Sequence, residues 1–260
     1  MNVLEDVKEI VLDAGRFLVK NAKNKEVFTK KSKGDEHDIV TSVDYAVEDF
    51  LRGRLEDIVP DAQVFTEETD FSDVTSEYFW AIDPIDGTKN FAAGIPLVGI
   101  SVGLMRNFAP VLGVILNPYT RELYHAEAGK GAFRNDARIH ASNTDKISDC
   151  IVIIEGKEIA ARRREYAFKL THDARTMRNF GCATLNLTFL AEGKVQAYID
   201  EDLKYYDIAA GSLILEEAGG KMTNVKGKPV FPRKPDFEDI DVVATNGVMH
   251  EKILEYISQG

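Results

Sequence analysis

Cysteine is nearly absent: Cys150 and Cys182 are the two in 260 residues, far apart and in no metal-ligand spacing. This excludes a disulfide-stapled scaffold and a structural zinc site, and it predicts buried thiols in a reducing cytosol. Long apolar runs are missing too. The longest, Gly94 to Met105, is too short and too interrupted by Gly and Pro to span a bilayer. The charged stretch from Met1 to Lys8 lacks the apolar block of a signal peptide. A cytoplasmic chain with no membrane partner is expected. Positive charge is in deficit: a formal net charge of −11 argues against a nucleic-acid partner, which would require a basic face. An anionic small molecule stays admissible, because local cations or a bound metal reverse the field within one cleft. His37, His125, His140, His172 and His250 are scattered, none in a metal spacing, and read as ordinary surface or partly buried side chains. The patterns G-x-x-x-x-G-K-[ST] and C-x-x-C do not occur.

A hydrophobic fraction of 44% and a charged fraction of 29% fit a globular α/β chain with ample core. Val3, Val7, Ile10, Val11, Ala14, Phe17 and Leu18 mark an amphipathic helix ending near Asn21. The basic stretch Thr29 to Glu36 reads as a loop. A second helix follows, with Ser42 or Asp44 as its N-cap and Val43, Val47, Phe50, Leu51 and Leu55 on its apolar face. Gln63 to Thr66 reads as a strand delivering Glu67-Glu68, and Tyr78 to Ile82 as a buried strand ending at Asp83. Leu97 to Tyr124 forms an antiparallel meander, its turns at Asn107 and Asn117-Pro118. Beyond a weakly marked boundary between Ser142 and Ile147, the second half offers strands at Cys150 to Ile154, Met177 to Phe180, Val195 to Asp200 and Asp241 to Ala244. Helices alternate with them at Lys157 to Lys169, Ala183 to Leu190, Asp207 to Ala218 and Val248 to Ile257. Two tightly packed halves are expected: 1–145, an α+β half carrying most metal ligands, and 146–260, an α/β half carrying Asp207 and the substrate contacts.

The most informative stretch is Asp83-Pro84-Ile85-Asp86-Gly87-Thr88, where an open α/β sheet places its ligands, at the end of a strand. Taken alone it is equally an ordinary Asp-Pro and Asp-Gly turn. Likewise Asp207 is explained by capping its helix, and Glu67 by solvation on a loop. Jointly the four acids Glu67, Asp83, Asp86 and Asp207 would repel one another unless a cation neutralised them. Oxygen ligands without His or Cys indicate a hard cation, Mg²⁺ before Mn²⁺ or Ca²⁺, and hence phosphoryl chemistry. Gly87-Thr88 would offer backbone N–H groups to a phosphate, and the Thr88 hydroxyl would hold an attacking water.

Trp80 to Phe91 resembles the first signature of the inositol monophosphatase family, and Tyr206 to Gly211, continuing to Gly220, resembles its second. Asp38 to Asp44, Thr66 to Thr69 and Gly181 to Asn186 match in the family's order. The resemblance covers nearly the whole chain and implies a layered α/β/α/β/α sandwich of the sugar phosphatase type, which accommodates the meander. It implies Glu67, Asp83 and the Ile85 carbonyl as ligands of a first Mg²⁺, and Asp83, Asp86 and Asp207 as ligands of a second. Glu67 would share a third ion, with Mn²⁺ as a possible substitute. It further implies water as nucleophile, aided by Thr88 with Asp44 behind it, and phosphate held by Asp86, Gly87 and Thr88. Asp200 and Ala183 fall at substrate-contact positions, and Arg178 is a candidate for a second phosphate.

The implied activity is hydrolysis of a small phosphate ester, inositol 1-phosphate and also fructose 1,6-bisphosphate, by a lithium-sensitive homodimer. Tyr206 stands where the family has Trp, Ala93 replaces a common His, and an Asp at 200 is similar to archaeal-type members that take both substrates. Lys89, completing D-P-I-D-G-T-K, keeps a 3′(2′),5′-bisphosphate nucleotidase open as the alternative. A metal-binding regulatory protein is the non-enzymic one.

Overall fold

The fold is described from a computed structural model covering residues 2–22, 42–67, 74–156, 164–236 and 238–259. The expected loop at Thr29 to Glu36, the stretch Asp38 to Thr41 and the pair Glu68-Thr69 lie outside these residues.

Helix α1 (Val3–Asn21) buries Val7, Ile10, Val11, Ala14 and Leu18 along one face. With α2 (Ser42–Leu55) it covers the outer face of the first sheet. That sheet has seven strands in chain order: β1 (Gln63–Thr66), β2 (Tyr78–Asp86), β3 (Gly99–Arg106), β4 (Ala109–Asn117), β5 (Glu122–Glu127), β6 (Gly131–Arg134) and β7 (Ala137–Arg138). Its pairing is antiparallel except for β1 beside β2, so the expected meander forms and extends to β7. The short helix α3 (Thr88–Ala93) links β2 to β3.

The second sheet, in the order β11-β12-β10-β8-β9, uses β8 (Ile151–Ile154), β9 (Thr176–Arg178), β10 (Ala197–Leu203), β11 (Lys221–Thr223) and β12 (Ile240–Thr245). Helices α4 (Arg164–Asp173) and α7 (His250–Ser258) pack on its outer side. Helices α5 (Ala183–Ala191) and α6 (Tyr205–Glu217) lie between the two sheets and are buried almost all round. The order α/β/α/β/α follows, as the resemblance implied. Gly103 and Gly113 let α6 approach closely, since a Cβ at either would press on Ala210 backbone atoms at 3.2 and 2.7 Å. No helix among the described residues is long and apolar enough to cross a membrane.

Several element ends differ from expectation. The β9 strand stops at Arg178 instead of Phe180, and the charged helix runs on to Asp173 instead of Lys169, its expected start at Lys157 lying outside the described residues. Ser42 lies inside α2 as its first residue. Helix α6 begins at Tyr205, so Asp207 is not its first residue but sits in its first turn. Its Oδ2 accepts the Lys204 backbone N–H at 2.6 Å, the reciprocal half of a capping box. Of the histidines read as surface or partly buried, His125 and His250 are buried.

Candidate active site

β2 does not end at Asp83; it continues to Asp86 through a one-residue bulge. Asp83 pairs with Ser101 and Asp86 with Gly99, so three steps on β2 answer two on β3. Pro84 has no N–H to give the ladder, a local reason for the bulge to form here. The consequence is one of parity. In a regular strand, residues three apart face opposite sides; the extra residue turns Asp83 and Asp86 to the same side. The core composition agrees: Trp80, Ile82 and Ile85 bury against α1 and α2, while Phe79 and Ala81 bury with α5 and α6. Both acids thus face the central helices, where Asp207 waits on α6.

Asp83 is 1% exposed. Burial pushes its carboxyl well above the usual range, and the charges of Glu67, Asp86 and Asp207 push it further. Burial likewise raises Asp207, to about 8, with Asp86 adding to it. It raises Asp86 as well, against hydrogen bonds from Thr184 and Cys182 that oppose the rise. The four acids singled out in the sequence therefore share one electrostatic environment. The charge of Asp207 is among those that raise Asp83, and a proton or a divalent cation would relieve that repulsion.

The donors fit a hard cation in chemistry, being carboxylate oxygens, buried at Asp83 and half-buried at Glu67, Asp86 and Asp207, without His or Cys nitrogen or sulfur ligands. Among the described residues no group of three or more His, Cys, Asp or Glu side chains stands ready as a cage. Mg²⁺ does not require one, since it keeps several waters and completes its shell with one or two carboxylates and substrate phosphate.

Around the acids the backbone is tightly fixed. Asp83 Oδ1 accepts the Ile85 N–H at 3.1 Å, and the Ile85 carbonyl accepts the Thr88 hydroxyl at 3.0 Å. The same hydroxyl lies 3.4 Å from Asp44 Oδ1, and Asp44 is fully buried on α2. Gly87 has φ +83°, and a Cβ there would stand 2.8 Å from the Leu97 carbonyl, so conformation and space both require glycine. The first-turn N–H groups of α3 begin immediately after it.

The other expected contacts divide. Ala183 is buried at the start of α5, beside the residues that bind Asp86. Asp200 lies at a second one-residue irregularity, where β10 slips against β12 between Asp200 and Leu203. It is 5% exposed and already accepts the Tyr198 hydroxyl at 2.7 Å and the Glu201 and Asp202 N–H groups at 2.7 and 3.2 Å. Burial raises its carboxyl to about 6. Arg178 is exposed on β9 and bonds to Thr176 Oγ1 and the Met177 carbonyl of its own strand, not to the carboxylates.

Three supporting residues have no reading from sequence. Thr184 donates twice to Asp86. Glu155 accepts the Phe180 and Gly181 N–H groups at 2.7 and 2.9 Å and so fixes the turn before α5. Asn90 donates to the Leu97 and Phe180 carbonyls at 2.9 and 2.7 Å, tying α3 to that turn. Thr184 and Asn90 lie inside matched motifs, which was a usable signal; Glu155 is a lone acid after an apolar strand and gave none.

The model of the inositol monophosphatase family matches residues 2–260. A fructose-1,6-bisphosphatase/inositol-1-monophosphatase of Aquifex aeolicus is 33% identical over 258 residues, covering 97% of this chain and 94% of the relative. An inositol-1-monophosphatase of Bacillus subtilis is 31% identical, covering 96% of this chain and 94% of the relative. The crystal structure of the extragenic suppressor protein SuhB from Bartonella henselae superposes with a TM-score of 0.91 at 29% identity, covering all of both chains.

Proposed function

The chain belongs to the inositol monophosphatase family, and from that premise we propose that it is a Mg²⁺-dependent phosphomonoesterase acting on inositol 1-phosphate and fructose 1,6-bisphosphate. The observation that carries the reading is the convergence of Glu67, Asp83, Asp86 and Asp207 in one charge environment, with Asp83 and Asp86 turned to one face by the bulge. The names of the Aquifex and Bacillus relatives support the two substrates.

In this reading Glu67, Asp83 and the Ile85 carbonyl would hold one ion, and Asp83, Asp86 and Asp207 another. Such ions supply positive charge to the phosphate and lower the pKa of water. The protein's own groups do the positioning. Gly87 and Thr88 present backbone N–H groups to the phosphate oxygens. Thr88 Oγ1 has one proton to donate, to the Ile85 carbonyl or to Asp44, and this leaves its lone pairs to accept a hydrogen bond from an incoming water. When that proton goes to Asp44, buried behind it, the bond keeps the hydroxyl oriented. Asp200 and the backbone at Ala183 border the space for the alcohol part of the substrate, with Asp200 ionised above pH about 6. The two halves, 1–145 and 146–260, contribute jointly, the second through Asp207, Ala183 and Asp200. A cytoplasmic homodimer belongs to the same proposal.

The deciding measurement is release of inorganic phosphate from inositol 1-phosphate, fructose 1,6-bisphosphate and adenosine 3′,5′-bisphosphate, with and without Mg²⁺. Preference for the nucleotide over both sugar phosphates would overturn the assignment in favour of a nucleotidase, the reading that Lys89 favours. No release from any of them would favour a binding role.

A further inference from the structure

One carboxylate oxygen of Asp86 is held by the protein. The Thr184 backbone N–H and the Thr184 hydroxyl both donate to Oδ2, at 2.6 and 2.7 Å, and Cys182 Sγ lies 3.2 Å from the same atom. Thr184 is fully buried in the first turn of α5, where backbone N–H groups have no partner within the helix. The N-cap residue Cys182 makes no side-chain cap bond, so the carboxylate of Asp86, from a different element, serves that end of α5. Charge-assisted bonds of this length fix the carboxyl plane, and all three donors fall on Oδ2.

Gly99 makes this arrangement possible. It is the β3 residue paired with Asp86, and a Cβ on it would stand 2.1 Å from Thr184 Oγ1, yet 3.4 Å from Thr184 Cβ and 3.6 Å from Cys182 Sγ. The missing side chain of Gly99 is therefore matched to one atom, the Thr184 hydroxyl.

We infer that Thr184 is a positioning residue for Asp86, holding Oδ2 so that Oδ1 faces the cation site, and that Gly99 is glycine to leave room for that hydroxyl. This rests on the reading of Asp86 as a metal ligand. Loss of an outer hydrogen bond to a ligand costs roughly ten- to a hundredfold in metal affinity.

The test is Mg²⁺ binding to the substrate-free protein by titration calorimetry, beside thermal melting. Thr184→Val, which keeps the shape and loses the donor, is expected to bind Mg²⁺ about tenfold more weakly. Thr184→Ser is expected to restore binding to within about twofold, which a purely packing role would not produce. The second arm is a double-mutant cycle that does not depend on the valine variant folding. Gly99→Ala is expected to weaken Mg²⁺ binding about tenfold in the parent chain and to have little further effect in Thr184→Ala, where the clashing oxygen is gone. Unchanged affinity in Thr184→Val, or equal Gly99→Ala effects in both backgrounds, would overturn the inference while leaving the phosphatase reading intact. A parent chain that neither binds Mg²⁺ nor releases phosphate would overturn both.

Discussion

His250 makes a pH-dependent contribution to stability whose sign and size follow from its surroundings. It opens α7 and is 1% exposed, with Nε2 at 2.9 Å from Thr223 Oγ1 and Nδ1 at 3.0 Å from Thr245 Oγ1. A neutral imidazole, one nitrogen donating and the other accepting, satisfies two hydroxyls without introducing charge. Burial lowers its pKa from 6.5 to about 4, with the Lys221 charge adding to the effect and Glu251 opposing it. Between those values the unfolded chain binds a proton that the folded chain refuses. The stability present above pH 6.5 is therefore lost as pH falls towards 4. At about 1.4 kcal/mol per pH unit the full loss is on the order of 3 kcal/mol.

Replacing His250 with Gln removes the titration but costs hydrogen bonds at every pH. The quantity to follow is thus the stability difference between parent and variant, from urea unfolding monitored by circular dichroism. That difference also cancels the carboxylates common to both chains. It is expected to shrink by roughly 1 kcal/mol between pH 7 and 5.5, and by about 2 kcal/mol by pH 4.5. A difference independent of pH would refute the reasoning, as would an imidazole resonance of His250 titrating near 6.5 in the folded protein.

Three further outcomes test the site. Asp86→Asn is expected to cut turnover by about a hundredfold or more with the far-ultraviolet dichroism unchanged; near-normal turnover would remove the two-metal reading. Asp200 has its carboxyl raised to about 6 from 3.8, so its protonated form favours folding at low pH and that contribution is lost as pH rises through 6. Asp200→Asn, whose side-chain oxygen still accepts the Glu201 and Asp202 N–H groups, is therefore expected to gain roughly 2 kcal/mol more over the parent at pH 8 than at pH 4.5. Melting curves at the two pH values check it, and a raised KM for the sugar phosphates is expected beside them. Gly87→Ala must hold a left-handed φ, at about 1–2 kcal/mol, and move the Leu97 carbonyl. A folded protein with kcat reduced at least about tenfold is expected from the displaced phosphate cradle, and unchanged kcat would dissociate Gly87 from the chemistry.

The sequence by itself determined the inventory and the layers. Apolar periodicity marked α1 and α2, and alternation with turn residues marked the meander, because both signals are local and repeat at the period of the element they build. Glu67, Asp83, Asp86, Thr88 and Asp207 were legible as a candidate set, since their residue types admit few reactions and their motifs occur in a specific order. Local signals failed at element ends such as Tyr205 and Arg178, where capping and pairing with distant strands set the limits. Only the tertiary structure decided how the set is aimed. The D-P-I-D spacing alone would place Asp83 and Asp86 on opposite faces of a regular strand; pairing with Gly99 and Ser101 across a bulge brings them to one. It also supplied Thr184, which donates to Asp86, Gly99, which leaves room for that hydroxyl, and Glu155, which holds the turn before α5. Their contacts join residues far apart along the chain, and no periodicity or spacing within a single element carries that information.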